Sequence, residues 1–393
     1  PGTQEYIFKH ALLRDVAYEG VLLKNRKEHH RRAAQWLEAR GGERAAEFGT
    51  LIAEHYERAG EGAKAAAHLE KAAVRAARAA AYSEADAMLE RAWALDPGRF
   101  SSMIELAVVR RLDSRYEDAE LWYEKCRQDP SGAWEAAALA GLAYIARARG
   151  RLRDSVALAM EAVAVARGRS EKAAEGAALV ELCAALHDFG DHARGRIAAE
   201  EALALFRGLK DRFGEGLVFN DLGVSLFSQG EHLAAFEHYE KARAAYAEAG
   251  SPLDAMLARA NAGQALIPLG RLQEARLIIS EALDFQRRNS ILSHVAGTTD
   301  SLAELYEKLG DKPAAEREFR EALKLNVRRG MKGSVVTNLA GLARLRGDAS
   351  LAALALAHPS CNAEGRARAS SVPGAAAAVP DKTFDEALAA ELG

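Results

Sequence analysis

The chain has 393 residues, 49% of them apolar but only 7% aromatic, and a net charge of −3 from 53 basic and 56 acidic side chains. A charge so close to balance gives no global reason to expect nucleic acid or an anionic membrane as partner, and no apolar run approaches the roughly 18 residues of a membrane span. Three widely separated cysteines, Cys126, Cys183 and Cys361, make neither a CxxC pair nor a disulfide framework, which points to a reducing cytoplasm.

The chain opens Pro1-Gly2-Thr3, without methionine or a secretory signal pattern, and reads as a piece of a longer protein. Tyr6-Ile7-Phe8-Lys9-His10-Ala11-Leu12 is followed by Tyr18 and then by the basic run Lys24, Arg26, Lys27, His29, His30, Arg31, Arg32. This stretch resembles the junction of bacterial multidomain signal-transduction ATPases, where it follows nucleotide-binding and winged-helix regions and precedes a helical-repeat array. The resemblance implies an upstream ATPase domain in the parent chain, with a cyclase, kinase or DNA-binding domain in some parents. The chain itself holds no GxxxxGK[ST] phosphate loop. The basic run reads as a solvated face or a face docked on the upstream domain, since one basic helix without interleaved aromatics is a poor nucleic-acid signal.

Helix pairs follow. Gly60 is expected to turn one pair, and Asp96-Pro97-Gly98 ends the next. Met103 to Gln128 reads as another, turning near Ser114-Arg115 and closed by Asp129-Pro130. Then glycines recur every 40 residues at 150, 190, 230, 270 and 310. A small residue stands five places after each, at Ser155, Gly195, Ala235, Ala275 and Ala315, and alanine twelve places after each, at 162, 202, 242, 282 and 322. A glycine can end a helix in the left-handed conformation at little cost. Small residues let two helices approach, while Leu222, Leu226 and Tyr239 fill the space between them. Gly347 comes only 37 residues after Gly310, so the last unit is shortened.

Phe219, Leu222, Gly223, Leu226, Gly230, Ala235, Tyr239 and Ala242, and again Ala303, Tyr306, Gly310, Ala315, Phe319 and Ala322, follow an order that resembles the tetratricopeptide repeat. The 40-residue step departs from the usual 34; it is similar to the longer-helix variant of bacterial signalling regulators. The proline that often closes a repeat is missing from most units. The resemblance implies an all-α, right-handed superhelical solenoid. Three segments are expected: a helical junction over residues 1–44, the repeat array over 45–357, and a low-complexity tail over 358–393. In the tail, Pro359 to Pro380 is rich in Ala, Ser, Gly and Pro and reads as a linker or a disordered tail. Thr383 and Glu386 then form the signature of a capping box on a short terminal helix.

No residue set carries catalysis or a cofactor. His187, Asp188, Asp191 and His192 straddle a polar turn and lack the convergence a metal demands. Cys183 stands in the small-residue column that holds Gly223, which makes it a spacer. No metal, cofactor or enzymatic activity is expected. In tetratricopeptide arrays the first helix of each pair lines the binding groove. By repeat position the groove candidates are Tyr144, Arg147, His187, Asn220, Gln264, Asp300, Glu304 and Glu307. Asp300 and Glu304 fall on one helical face and form an acidic patch suited to a basic ligand. The expected function is a protein-, peptide- or small-ligand-binding scaffold, the sensor or interaction arm of a larger cytoplasmic ATPase regulator. The alternatives are a free-standing peptide-docking adaptor, a transcriptional regulator arm using the basic helix, and an enzyme built on helical repeats.

Overall fold

The computed structural model describes residues 16, 18–41, 48–289 and 291–392. The junction motif from Tyr6 to Asp15, and the expected boundary at residue 44, lie outside the described residues. These contain twenty α-helices and no strand, an all-α helical repeat. The chain divides into two compact units, residues 1–169 and 170–393.

The first unit holds α1 (Leu23–Gly41), α2 (Gly49–Ala59), α3 (Gly62–Arg78), α4 (Tyr82–Leu95), α5 (Phe100–Leu112), α6 (Tyr116–Cys126), α7 (Glu135–Ala148) and α8 (Leu152–Gly168). The second holds α9 (Lys172–Phe189), α10 (His192–Leu209), α11 (Arg212–Ser228), α12 (His232–Glu248), α13 (Pro252–Leu266), α14 (Leu272–Arg288), α15 (Leu292–Lys308) and α16 (Lys312–Arg328). It ends with α17 (Lys332–Arg346), α18 (Ala349–Ala357), α19 (Ala363–Ser370) and α20 (Phe384–Leu392). Within each unit the odd-numbered helices also touch one another: α3 meets α5, α5 meets α7, α9 meets α11, α13 meets α15 and α15 meets α17. They form an inner layer, with the even-numbered helices outside.

The turns explain the rhythm. Gly150, Gly190, Gly230, Gly270 and Gly310 all take positive φ, from 73° to 92°. The turns between pairs do the same at Ser170, Lys210, Gly250 and Gly330. A left-handed residue therefore recurs at 20-residue intervals from 150 to 270, half the glycine spacing. The half-step is hidden in the sequence because serine and lysine hold two of its positions, although a side chain in that conformation costs about 1–2 kcal/mol. The pairing of the early helices also differs from expectation. Gly60 joins two successive pairs, and the turn inside the pair α3–α4 is made by Ala80, with φ 58°.

The small columns lie where helices cross. Ala162, Ala202, Ala242, Ala282 and Ala322 are wholly buried, as are Ser155, Ala235, Ala275 and Ala315. Gly223 shows why: a Cβ there would lie 2.6 Å from the ring of Tyr239. That ring is 4% exposed, and burying a side chain of its size contributes about 1.5–3 kcal/mol.

The tail departs from the linker reading. Residues 363–370 form α19, which packs on α17 and α18 as the next inner helix would. Ala369, Val372 and Ala375 are buried, so alanines that read as low complexity are a packing surface. The capping box does form: Glu386 N–H donates to Thr383 Oγ1 at 3.3 Å, and Thr383 N–H to Glu386 Oε2 at 2.8 Å.

Glu240 is half-buried beside Arg243, so the exposed comparison for packing is Glu237. Ala242→Arg must drive a long charged chain into a filled crossing and should lower stability by about 3 kcal/mol or more. Glu237→Arg should change it by no more than about 0.5 kcal/mol. Equal denaturation midpoints for the two variants would refute the crossing role of the alanine column.

Candidate functional site

The candidates divide between the two units. In the first, Tyr144 and Arg147 stand on α7. The Arg147 guanidinium lies 5.1 Å from the Tyr144 ring centre and that of Arg111, from α5, lies 4.4 Å from it. Tyr116 brings a second ring to 6.4 Å. The structure thus gathers an aromatic ring under two cations, a geometry in which each contact contributes about 0.5–2 kcal/mol. Arg111 and Tyr116 were not among the sequence candidates. A signal for Arg111 was present: Arg111, Arg147, His187, Glu307 and Arg344 each stand three residues before the turn residue of their pair.

In the second unit, His187 is half-buried at the end of α9, its Nδ1 3.6 Å from Cys183 Sγ and its ring 5.7 Å from that of His192. Gly195 leaves room for it, since a Cβ there would stand 2.4 Å from the imidazole. Burial first, then the neighbouring His192, lowers the His187 pKa. Asn220 on α11 accepts a hydrogen bond from Asn261 Nδ2 on α13 at 3.1 Å. Gln264 lies one turn further along α13, half-buried. The partner Asn261 was missed because it is offset by one place from the column of Asn220.

Asp300, Glu304 and Glu307 share one face of α15, but they are not an open acidic patch. Arg368, from α19, donates through Nη1 and Nη2 to the two oxygens of Asp300 at 2.9 and 2.7 Å. Its Nη2 also lies 3.8 Å from Glu304. Arg344 donates to Glu307 at 2.6 Å and approaches Glu304 at 3.7 Å. Asn338 on α17 donates to Asp300 and accepts from Asn326 on α16 at 2.8 Å. Burial alone would lower the pKa of Arg368, but Asp300 and the nearby glutamates raise it, so the cation is held firmly. Sequence spacing placed the carboxylates together; it could not show the cation, which is 68 residues away in the stretch read as a linker.

Among the described residues, no three His, Cys, Asp or Glu side chains are grouped to hold a metal ion. None of their helices is long and apolar enough to cross a membrane. Cys126 is buried, which pushes its thiol pKa up to about 12. At that value it is a poor nucleophile at neutral pH.

No protein-family model matches the chain, and no curated protein matches it. Solved structures with tetratricopeptide repeats do. One is a signal transduction ATPase with numerous domains and a tetratricopeptide repeat sensor, from Pyrococcus horikoshii. It is 13% identical with a TM-score of 0.57, over 86% of this chain and 51% of that one. This chain therefore spans about half the length of that protein. Another is a Rap protein complexed with competence and sporulation factor, 12% identical with a TM-score of 0.53, over 82% of this chain and 97% of that one. At such identities the likeness is one of fold: a tetratricopeptide-type solenoid.

The inner layer also carries a pH dependence. His294 on α15 has its pKa pushed down to about 4, by burial first and then by the charge of Arg329. The unfolded chain takes up this proton as pH falls through 6.5, while the folded chain resists until about 4. Stability present at pH 7 is thus lost on acidification, by about 2 kcal/mol at pH 5 for this group. His294→Asn should lose less stability than wild type between pH 7 and pH 5 in urea unfolding. An equal loss would show that His294 is not responsible.

Proposed function

We propose that this chain is a protein-binding scaffold, and that its inner layer is the sensor or interaction arm of a larger signalling ATPase. One observation carries the reading. The inner helices of the second unit display hydrogen-bonding side chains to one another, Asn220 with Asn261 and Asp300 with Asn338, where packing alone would be served by apolar residues. Amides present both donors and acceptors, which suits an extended peptide backbone. The ATPase connection draws on the junction resemblance around Tyr6 to Ala34. It also draws on the fold likeness to a protein that joins a tetratricopeptide sensor to a signal transduction ATPase. In such a protein a bound partner acts by favouring one of two states of the array, in proportion to its difference in affinity for them. A free-standing docking adaptor is the second reading. It draws on the likeness that spans 97% of the Rap protein solved with competence and sporulation factor.

Two measurements test this. The genomic reading frame should extend upstream into a GxxxxGK[ST] motif; a frame that starts at this chain favours the adaptor. Photo-crosslinkers placed at Asn220, Asn261 and Gln264 should capture the same protein from source lysate, and crosslinkers at Glu237 and Lys241 on the outer helix α12 should not. Asn220→Ala/Asn261→Ala should weaken that capture by about tenfold, the cost of losing roughly one good hydrogen bond. Capture at the outer positions instead would move recognition away from the inner layer.

A further inference from the structure

Arg368 is 3% exposed, an arginine almost wholly withdrawn from water on an eight-residue helix. Its guanidinium meets Asp300 as a two-pronged fork, at 2.9 and 2.7 Å. One Nη also donates to Glu364 on its own helix at 2.6 Å. The guanidinium carbon lies 5.5 Å from the ring centre of Phe319. A carboxylate fork beside an aromatic face is the surrounding that suits a flat guanidinium better than a lysine ammonium.

The seat is built without α19. Asn326 on α16 donates to Asn338 on α17, which donates in turn to Asp300 on α15. This chain of amides orients the carboxylate from the array's own side. The occupant lies deeper than the carboxylate it meets, 3% against 14% exposed, but it is carried on a short segment. Its helix, Ala-Glu-Gly-Arg-Ala-Arg-Ala-Ser, is too short to be stable alone. Its largest buried side chain is Arg368, supported by Ala369 and, just beyond, Val372 and Ala375. The next helix is tied down separately: Arg346 donates to Glu391 at 2.6 and 2.9 Å, and Arg320 at 3.3 Å. Between them, residues 371–383 hold Val372 and Ala375, which are buried, and Asp381, which accepts from Ser350 at 3.0 Å, so departure of α19 must free Val372 and Ala375 while α20 keeps its own ion pairs.

Charge forbids leaving the seat empty. Removal of α19 takes away Arg368 and Glu364 and leaves Asp300, Glu304 and Glu307 with Arg344 as the remaining cation paired with them among the described residues. Asp300 is 14% exposed, and a nearly buried carboxylate without its cation is strongly unfavourable. Departure of α19 is therefore favoured only when another cation of the same shape arrives.

We propose that α19 is an internal ligand of the array: Arg368 occupies a guanidinium seat formed by Asp300, Glu304 and Phe319, and an arginine-bearing segment of a partner protein takes that seat by displacing α19. The proposal rests on the reading of the inner layer as a protein-binding face and names the side chain such a partner presents.

The test uses the full chain and a fluorescein-labelled peptide of residues 362–372, with a second peptide carrying Arg368→Ala. In the Arg368→Ala chain, amide exchange at 363–370 should speed up by about tenfold or more, and the chain should bind the arginine peptide about tenfold more tightly than wild type, because the internal competitor is gone. The peptide lacking the arginine should not bind. Asp300→Asn should also release α19, yet should not bind either peptide, because the seat itself is damaged. A purely structural cap predicts faster exchange in both variants and no peptide binding in either, and that result overturns the proposal. So does unchanged exchange at 363–370 in the Arg368→Ala chain. Exchange across residues 212–266 reports whether the array stays folded. If Arg368→Ala unfolds it, Arg368→Lys replaces it, and peptide binding no tighter than wild type overturns the proposal. If peptide binding behaves as expected but no partner crosslinks to Asn220, Asn261 or Gln264, the proposed function fails and the internal ligand stands. The converse result removes only the internal ligand.

Discussion

The crossing of two helices within a pair sets the terms for everything else in this chain. At Gly223 the backbone of α11 comes so near the Tyr239 ring that a single methyl group would stand 2.6 Å from it; between successive pairs, Gly341 on α17 approaches Phe319 on α16 as closely, at 2.6 Å. Contacts this close require glycine at the nearest point, alanine or serine in the neighbouring columns, and a large ring or branched chain on the other side. They also require helices of matched length, because a crossing repeated every pair must return to the same height. Helices of 17 or 18 residues separated by turns of two or three residues satisfy this from α9 to α12, with a left-handed residue at each turn. Each pair then leaves an apolar side for its neighbour, and stability becomes a sum of local terms.

Much of this was legible because the constraint acts on residue type at fixed spacing. Glycine at the turn and alanine at the crossing repeat every 40 residues and can be counted in a bare sequence. The 20-residue half-step could not be counted, since Ser170 and Lys210 accept the left-handed conformation at an energetic cost and leave no compositional mark. The shift in pairing near Gly60 has the same origin: a glycine announces a turn without saying whether it lies within a pair or between pairs, and Ala80 announces nothing.

The candidate site was legible in outline for a similar reason. Positions on the inner helices follow from the period, and Asp300, Glu304 and Asn220 were found by it. Their partners were not. Asn261 and Asn338 stand nine places before their turn glycines, whereas Asn220 and Asp300 stand ten places before theirs, so a search down one column passes over them. Arg368 lies outside any period. Its segment has the composition of a linker, and what orders it is a contact with α15 and α17 rather than any propensity of its own.

That contact also has consequences set by the quasi-linear build. A buried ion pair adds little net stability, since desolvation offsets most of the attraction, but breaking one half of it is costly. Placed in the middle of a compact domain, such a pair would tie its release to unfolding of the whole. Placed at the end of a stack, it binds only the last elements. α18 has nine residues and α19 eight, so the buried apolar side chains freed if α19 leaves are Ala369 and, beyond it, Val372 and Ala375, and the pairs from α11 to α14 keep their own neighbours. The array can therefore hold a firm, specific electrostatic contact at its last inner position and still exchange the group that makes it. Specificity comes from the fork of Asp300, the amides of Asn338 and Asn326 that aim it, and the Phe319 ring beside it, all of which remain in place whichever guanidinium is bound.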